Sequence, residues 1–311
     1  MKAVNEAILA RMDSPVALIP QLAAHIVAAG GKRMRPLLTL AAARLCGYQG
    51  ERQIKLAACV EFIHTATLLH DDVVDESKLR RGFASANALF GNQASVLVGD
   101  FLFSRSFELM VEDGSQEVLR ILAAASATIA EGEVLQLTTQ NDLSTTEEKY
   151  FEVIRGKTAA LFAAAAEVGG VVAGASAEDN AALRDFGMDL GIAFQLVDDA
   201  LDYAASQAEL GKTVGDDFRE GKLTYPVLLA LEAATSAERD FWTRTLAEGE
   251  QGEDDLPTAL RLIEQHDAIR RTIRRADAFI DRAVGLLLRF PESEIRAALA
   301  DMARYTTARK Y

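Results

Sequence analysis

This sequence predicts an all-α fold, a single-domain helical bundle over residues 1–311, on three observations. None of its six prolines falls between Pro36 and Pro226, a span rich in alanine and leucine, where a proline would break helical hydrogen bonding. Helical periodicity recurs between short polar or glycine-containing breaks. No run of alternating apolar and polar residues reads as a strand.

Taken in order, the opening "MKAVNEAILARMDSPVALIP" mixes Glu6, Arg11 and Asp13 into its apolar residues and offers no signal-peptide core. "GGKRMRP" (30–36) is a glycine-led loop placed before a helix. Helices are expected over 52–72, 92–112, 116–139, 146–174 and 180–204, separated by "CGYQGE", "RRGFAS", "EDGSQ", "NDLST" and "GASAED". Two longer breaks, 206–224 and 246–257, lack the low complexity of a linker. The most apolar segment, 161–175, contains Glu167 and is shorter than the roughly 20 residues of a membrane span. A soluble, cytoplasmic protein is expected.

Half of the 311 residues are hydrophobic, enough for a substantial core, and the formal net charge is −13. That charge repels nucleic acid and anionic lipid surfaces, so neither is an expected partner, and any anionic ligand would need a local cluster of cations. Cys46 and Cys59 form no CxxC pair and are too few for a disulfide framework, which suits a reducing compartment.

The stretch "TLLHDDVVDESKLRRG" (67–82) places Asp71, Asp72 and Asp75 at i, i+1, i+4 after an apolar run, with Arg80 and Arg81 close behind. On a helix Asp71 and Asp75 share one face and repel unless a cation sits between them. A lone cluster of this kind reads as a solvated helix end. The pattern returns, however, as Asp198, Asp199 and Asp202 in "FQLVDDALDY". All six are hard oxygen donors with no His or Cys at ligand spacing beside them, which favours Mg²⁺ over zinc or copper. Mg²⁺ takes one or two carboxylates and completes its shell with water and phosphate oxygens. The basic residues suit the same ligand: Lys32, Arg33 and Arg35 in "GGKRMRP", Lys157 with Thr158 in "RGKT", and Lys212 and Lys222 in "ELGKTVGDDFREGKLTYP".

In "GGKRMRP", "EFIHTATLLHDDVVDESKLRRG", "GD" at 99–100, "EGEVLQL", "RGKT", "FQLVDDALDY" and "GKTVGDDFREGKLTYP", the chain resembles the trans-isoprenyl diphosphate synthases, or polyprenyl synthetases, from about residue 28 to 226. The "EFIHTATLLHDDVVD" segment is most similar to the long-chain, octaprenyl-like branch that makes quinone side chains. The resemblance implies a helical bundle of the isoprenoid synthase type with a central substrate cavity, a homodimer, and about three Mg²⁺ ions per site. It implies that an allylic diphosphate binds between the aspartate clusters, with isopentenyl diphosphate beside it. Ionisation of the allylic C–O bond, attack by the isopentenyl double bond and loss of a proton then lengthen the chain by one isoprene unit.

Carried over residue by residue, the resemblance makes Asp71, Asp75 and Asp198 the principal Mg²⁺ ligands, with Asp72, Asp199 and Asp202 as ligands or their partners. Arg80, Lys157, Lys212 and Lys222 would contact the allylic diphosphate. Lys32, Arg35, His64 and Arg81 would hold isopentenyl diphosphate, and Thr158 and Gln195 would flank the reacting carbons. His64 also reads as a buried helix histidine, and Gln136 either lines the site or caps a polar layer. Ala66 and Thr67, five and four residues before Asp71, are small where short-chain relatives often carry an aromatic ring. A tunnel beside a 20-residue helix would be about 30 Å long, which implies a product of roughly C35 to C50 rather than C15 or C20. A class I terpene cyclase would need no second diphosphate site, and a non-catalytic synthase subunit would be expected to have lost aspartates.

Overall fold

Residues 1–28, 30–80, 82–204 and 214–308 are described by the computed structural model, and contacts divide the chain into two compact units. The first comprises Met1–Ser126, Leu161–Gly187 and Leu287–Leu299; the second comprises Ala127–Ala160, Met188–Leu286 and Ala300–Tyr311. In chain order the elements are α1 (Lys2–Arg11), α2 (Leu18–Ala28), α3 (Met34–Leu45), α4 (Arg52–Val74), β1 (Leu79–Arg80), β2 (Phe83–Ala84), α5 (Ala86–Phe90), α6 (Asn92–Asp113), α7 (Gln116–Thr139) and α8 (Glu147–Ile154). There follow α9 (Ala160–Val172), α10 (Ala177–Ala204), α11 (Asp216–Arg219), α12 (Tyr225–Ala233), α13 (Ser236–Trp242), α14 (Asp255–Gln265), α15 (Ala268–Leu287) and α16 (Glu294–Thr307). The expectation of an all-α chain is met.

In the first unit α4 packs against α3 and α6, so it is apolar around most of its circumference. Leu56, Val60, Phe62, Ile63 and Leu69 are all buried there, each contributing about 1.5 to 3 kcal/mol relative to exposure. Close helix approach needs glycine at two places. A Cβ on Gly169 of α9 would stand 2.7 Å from the Ala42 Cβ and from the Thr39 carbonyl oxygen of α3. One on Gly99 of α6 would collide with the imidazole of His70, which lies 3.2 Å from the Val96 carbonyl oxygen. The two short strands β1 and β2 pair antiparallel, Leu79 with Ala84 and Arg80 with Phe83, where the sequence shows only a break.

The second unit has an aromatic core. Tyr150 and Phe151 of α8, Tyr225 of α12 and Phe279 of α15 stack with ring centroids 5.4 to 5.6 Å apart. Trp242 is fully buried beside Phe218 and Phe241. Pro226 sits in the first turn of α12, where its missing N–H is harmless. Thr235 and Glu238 cap α13 reciprocally. Among the described residues no helix is long and apolar enough to cross a membrane.

Candidate active site

At the end of α4 the chain turns sharply, and the turn fixes the first aspartate cluster. The Ser77 N–H donates to the Asp72 carbonyl (3.0 Å) and the Glu76 N–H to the Val73 carbonyl (3.3 Å), with Glu76 in the left-handed region at φ 50°. This is a Schellman stop with glutamate where glycine is usual. It leaves Asp71 and Asp75 one turn apart and half-buried, while Asp72 turns inward and is only 2% exposed. The Asp72 Oδ1 accepts from Arg80 of β1, through Nε at 2.7 Å and a terminal nitrogen at 2.6 Å. The strand pair thus carries a cation back onto the inward carboxylate. Asp72 and Arg80 also line a cavity of about 40 Å³ with His25, Thr65, Leu69 and Ser85.

The basic loop lies in the same unit. Arg33 adopts φ 50° and its guanidinium pairs with the buried Glu61 of α4. That pair anchors the loop and leaves Lys32 exposed. Arg35 lies 4.2 Å above the Phe162 ring and 3.2 Å from the His64 Nε2. A guanidinium has only donors, so Nε2 must accept and the proton belongs on Nδ1. His64 is therefore a neutral partner that orients Arg35, more than an isolated core histidine.

The second cluster, in the second unit, repeats the inward turn with different partners. Asp198 and Asp202 are half-buried and Asp199 is 3% exposed. The Asp199 Oδ2 accepts from the Tyr150 hydroxyl at 2.6 Å and the Tyr225 N–H at 3.3 Å; its Oδ1 accepts from the Gln195 amide at 2.8 Å. Burial first, and then the nearby charge of Asp217, push this carboxyl up to about 7, against the pull of those three donors. Asp202 accepts from the Asp217 N–H at 3.1 Å, and its carbonyl accepts from the Gly215 N–H at 2.9 Å. These bonds tie the segment 215–217 back to α10.

A cavity of about 120 Å³ opens beside this cluster, lined in part by Gln136, Lys157, Thr158, Gln195, Asp199 and Lys222. The expected helix 146–174 is interrupted there by a wide π turn over 155–159, in which the Ala160 N–H donates to the Arg155 carbonyl five residues back. Gly132 of α7 and Gly156 of the turn meet backbone to backbone; a Cβ on Gly132 would collide with the Lys157 nitrogen. Adjacent residues Lys157 and Thr158 both reach the cavity, where the Lys157 ammonium lies 2.6 Å from Glu133 and the Thr158 hydroxyl donates to the Gln195 amide oxygen at 2.8 Å. Lys222 pairs with Glu220 at 2.5 Å, in a loop held to the turn after α7 by the Gln140 amide on the Glu220 carbonyl and the Asn141 N–H on the Gly221 carbonyl.

The structure thus brings together Asp71, Asp72, Asp75 and Arg80 at one end of α4, Arg35 with His64, and Lys157, Thr158, Gln195, Asp199 and Lys222 around one cavity. Gln136 lines that cavity, as one of its two readings has it. Arg81 and Lys212 lie outside the described residues. Ala66 is fully buried and Thr67 donates to the His64 carbonyl at 2.8 Å; neither lines either cavity above. Sequence reasoning missed Glu133, Tyr150 and Asp217. The spacing of Glu133 and Gln136 in "EGEVLQL" places both on one helix face and could have flagged the first. Tyr150 reads as core until its hydroxyl's partner is known.

The outward carboxylates offer hard oxygen donors in pairs, and among the described residues no three His, Cys, Asp or Glu side chains close into a cage by themselves. Such a donor set fits Mg²⁺, which completes its octahedron with water and phosphate.

The all-α isoprenoid synthase fold is the class these elements define. The crystal structure of a decaprenyl diphosphate synthase from Rhodobacter capsulatus matches with a TM-score of 0.95 at 55% identity, over 99% of this chain and 95% of that one. The polyprenyl synthase from Caulobacter crescentus CB15, complexed with calcium and isoprenyl diphosphate, matches at 0.97 and 53%, over 100% and 95%. In sequence, the octaprenyl diphosphate synthase of Escherichia coli is 48% identical over 309 residues, 99% of this chain and 95% of its own length. The polyprenyl synthetase family model matches residues 16–263. The chain belongs to the polyprenyl synthetase family.

Proposed function

We propose that this chain is a Mg²⁺-dependent trans-prenyltransferase that condenses isopentenyl diphosphate with an allylic diphosphate, farnesyl or geranylgeranyl, to build a long-chain polyprenyl diphosphate for quinone side chains. The observation that carries the reading is the repeated acidic cluster, each copy with two outward carboxylates and one inward, in a chain 48% identical to an octaprenyl diphosphate synthase. The outward carboxylates Asp71, Asp75, Asp198 and Asp202 are the proposed Mg²⁺ ligands, and bound Mg²⁺, about three ions per site, would neutralise the diphosphate leaving group. Arg80, Lys157, Lys212 and Lys222 serve the allylic diphosphate. Lys32, Arg35, His64 and Arg81 serve isopentenyl diphosphate, with His64 orienting Arg35. Thr158 and Gln195 flank the reacting carbons, where their oxygens favour developing positive charge. The two compact units work together as one synthase domain, in the cytoplasm.

Incubation of the purified chain with labelled isopentenyl diphosphate and farnesyl diphosphate, followed by chromatography of the dephosphorylated products, tests the reading. Products of roughly C35 to C50 are expected, on the tunnel length a 20-residue helix allows. Accumulation of C15 or C20, or no incorporation, contradicts it. Ala66→Phe should shorten the product, since the buried site at Ala66 is the proposed chain-length control with Thr67 beside it.

We further propose a homodimer. Val96, Leu97, Phe107 and Val111 of α6 are all exposed and fall within about 100° of the helix circumference, a face they share with the exposed Asp100 and Ser104. Light scattering at micromolar concentration should give twice the chain mass; a monomer mass refutes the dimer.

A further inference from the structure

The polar groups around the second cavity form one directed chain of hydrogen bonds. Thr158 donates to the Gln195 amide oxygen at 2.8 Å, Gln195 donates through its amide nitrogen to Asp199 Oδ1 at 2.8 Å, and Tyr150 donates to Asp199 Oδ2 at 2.6 Å. An amide can present either its oxygen or its NH₂ to a neighbour, and only the surrounding network decides which. Here the decision is made at the buried end. In the ionised carboxylate the Tyr150 hydroxyl and the Tyr225 N–H both occupy Oδ2, which leaves Oδ1 to accept from the Gln195 nitrogen. With its nitrogen held there, Gln195 has only its oxygen to offer Thr158, and the Thr158 proton points at Gln195 with its lone pairs left for the cavity.

We infer that Tyr150 and Asp199 are positioning residues that hold the Gln195 amide with its oxygen toward Thr158, so that this side of the cavity presents oxygen lone pairs and no amide N–H to the reacting carbons. The inference rests on the proposed prenyl transfer, in which those carbons become electron-poor. A flipped amide would aim a partial positive charge at a developing cation. Tyr150 is suited to the role because its ring is locked: it is 5% exposed and packs edge-to-face against Phe151 and tilted against Tyr225, each at 5.4 Å, so the hydroxyl keeps its position when substrates come and go.

Tyr150→Phe keeps the stacked ring and removes only the hydroxyl. It should lower kcat about tenfold while the KM values of both substrates stay within about twofold, because the variant alters orientation at the reacting carbons and not diphosphate binding. The decisive arm is the same substitution in a Gln195→Met background, where no amide remains to be oriented. There Tyr150→Phe should change kcat less than about twofold. A full tenfold loss in both backgrounds, an unchanged kcat in the wild-type background, or a loss that appears in KM overturns the relay. If Tyr150→Phe does not fold, Tyr150→Met in the two backgrounds makes the same comparison. A wild-type chain without prenyl transfer overturns the proposed function and the relay together; an active wild type with additive variants overturns the relay alone.

Discussion

The two acidic clusters share one sequence pattern and differ in what their inward aspartate meets. In the first, Asp72 is held by the guanidinium of Arg80, a full opposite charge delivered by β1. In the second, Asp199 is held by a hydroxyl, an amide and a backbone N–H, with the like charge of Asp217 nearby. Both aspartates are buried, so both need partners, but a cation removes the desolvation penalty of a carboxylate more fully than neutral donors do. One motif is thus built into two electrostatic surroundings: an ion pair, and a carboxyl raised by burial whose neutral donors orient a neighbouring amide.

The largest expected effect lies on the outward residues, where the clusters should behave alike. Asp71→Ala and Asp198→Ala should each lower turnover about 10³-fold, the scale of losing a group that stabilises transition-state charge, with helicity by circular dichroism unchanged. Retained turnover in either variant would break the symmetry between the clusters. The inward residues should then separate. Asp72→Asn leaves Arg80 without its carboxylate and should cost about 1.5 to 3 kcal/mol in urea unfolding. Asp199→Asn removes the repulsion with Asp217 and should change stability at pH 8 by less than about 1 kcal/mol.

The inward pair also separates in pH. Asp199 has a folded value raised to about 7, above the usual unfolded value of about 3.9, so between these the folded protein holds a proton that the unfolded chain does not. The contribution of Asp199 therefore favours folding as pH falls from about 7 toward 4 and opposes it above 7. Urea midpoints of the metal-free protein at pH 5.5 and 8 should differ less in Asp199→Asn than in wild type. An equal difference would mean that the Asp199 carboxyl is not raised by burial.

The helices were legible in the sequence because proline is absent and alanine abundant across 37–225, and the five expected helical stretches stand within a few residues of α4, α6, α7, α8 to α9, and α10. The π turn at 155–159 was not, since it follows from the contact between Gly132 and Gly156, residues 24 apart that no periodicity links. Six aspartates were legible as a set, yet the pattern i, i+1, i+4 does not say which carboxylate turns inward. That depends on the faces that α4 and α10 bury, and on Arg80 and Tyr150, which come from other elements. Lys157 with Thr158 was legible as part of the basic set, whereas Gln195 and the flanking role of Thr158 were legible only through the family resemblance; the Thr158–Gln195 hydrogen bond and the Glu133 partner of Lys157 required the fold.

The central claim, that each cluster divides its work between outward metal ligands and one inward anchor, is tested most directly by the Mg²⁺ dependence of residual turnover in Asp71→Asn, Asp72→Asn, Asp198→Asn and Asp199→Asn. The outward variants should need about tenfold more Mg²⁺ for half-maximal activity, since each loses a charged oxygen donor. The inward variants should keep the wild-type Mg²⁺ requirement and show their loss in kcat or stability. A Mg²⁺ requirement raised as far by Asp72→Asn or Asp199→Asn as by the outward variants would contradict the account.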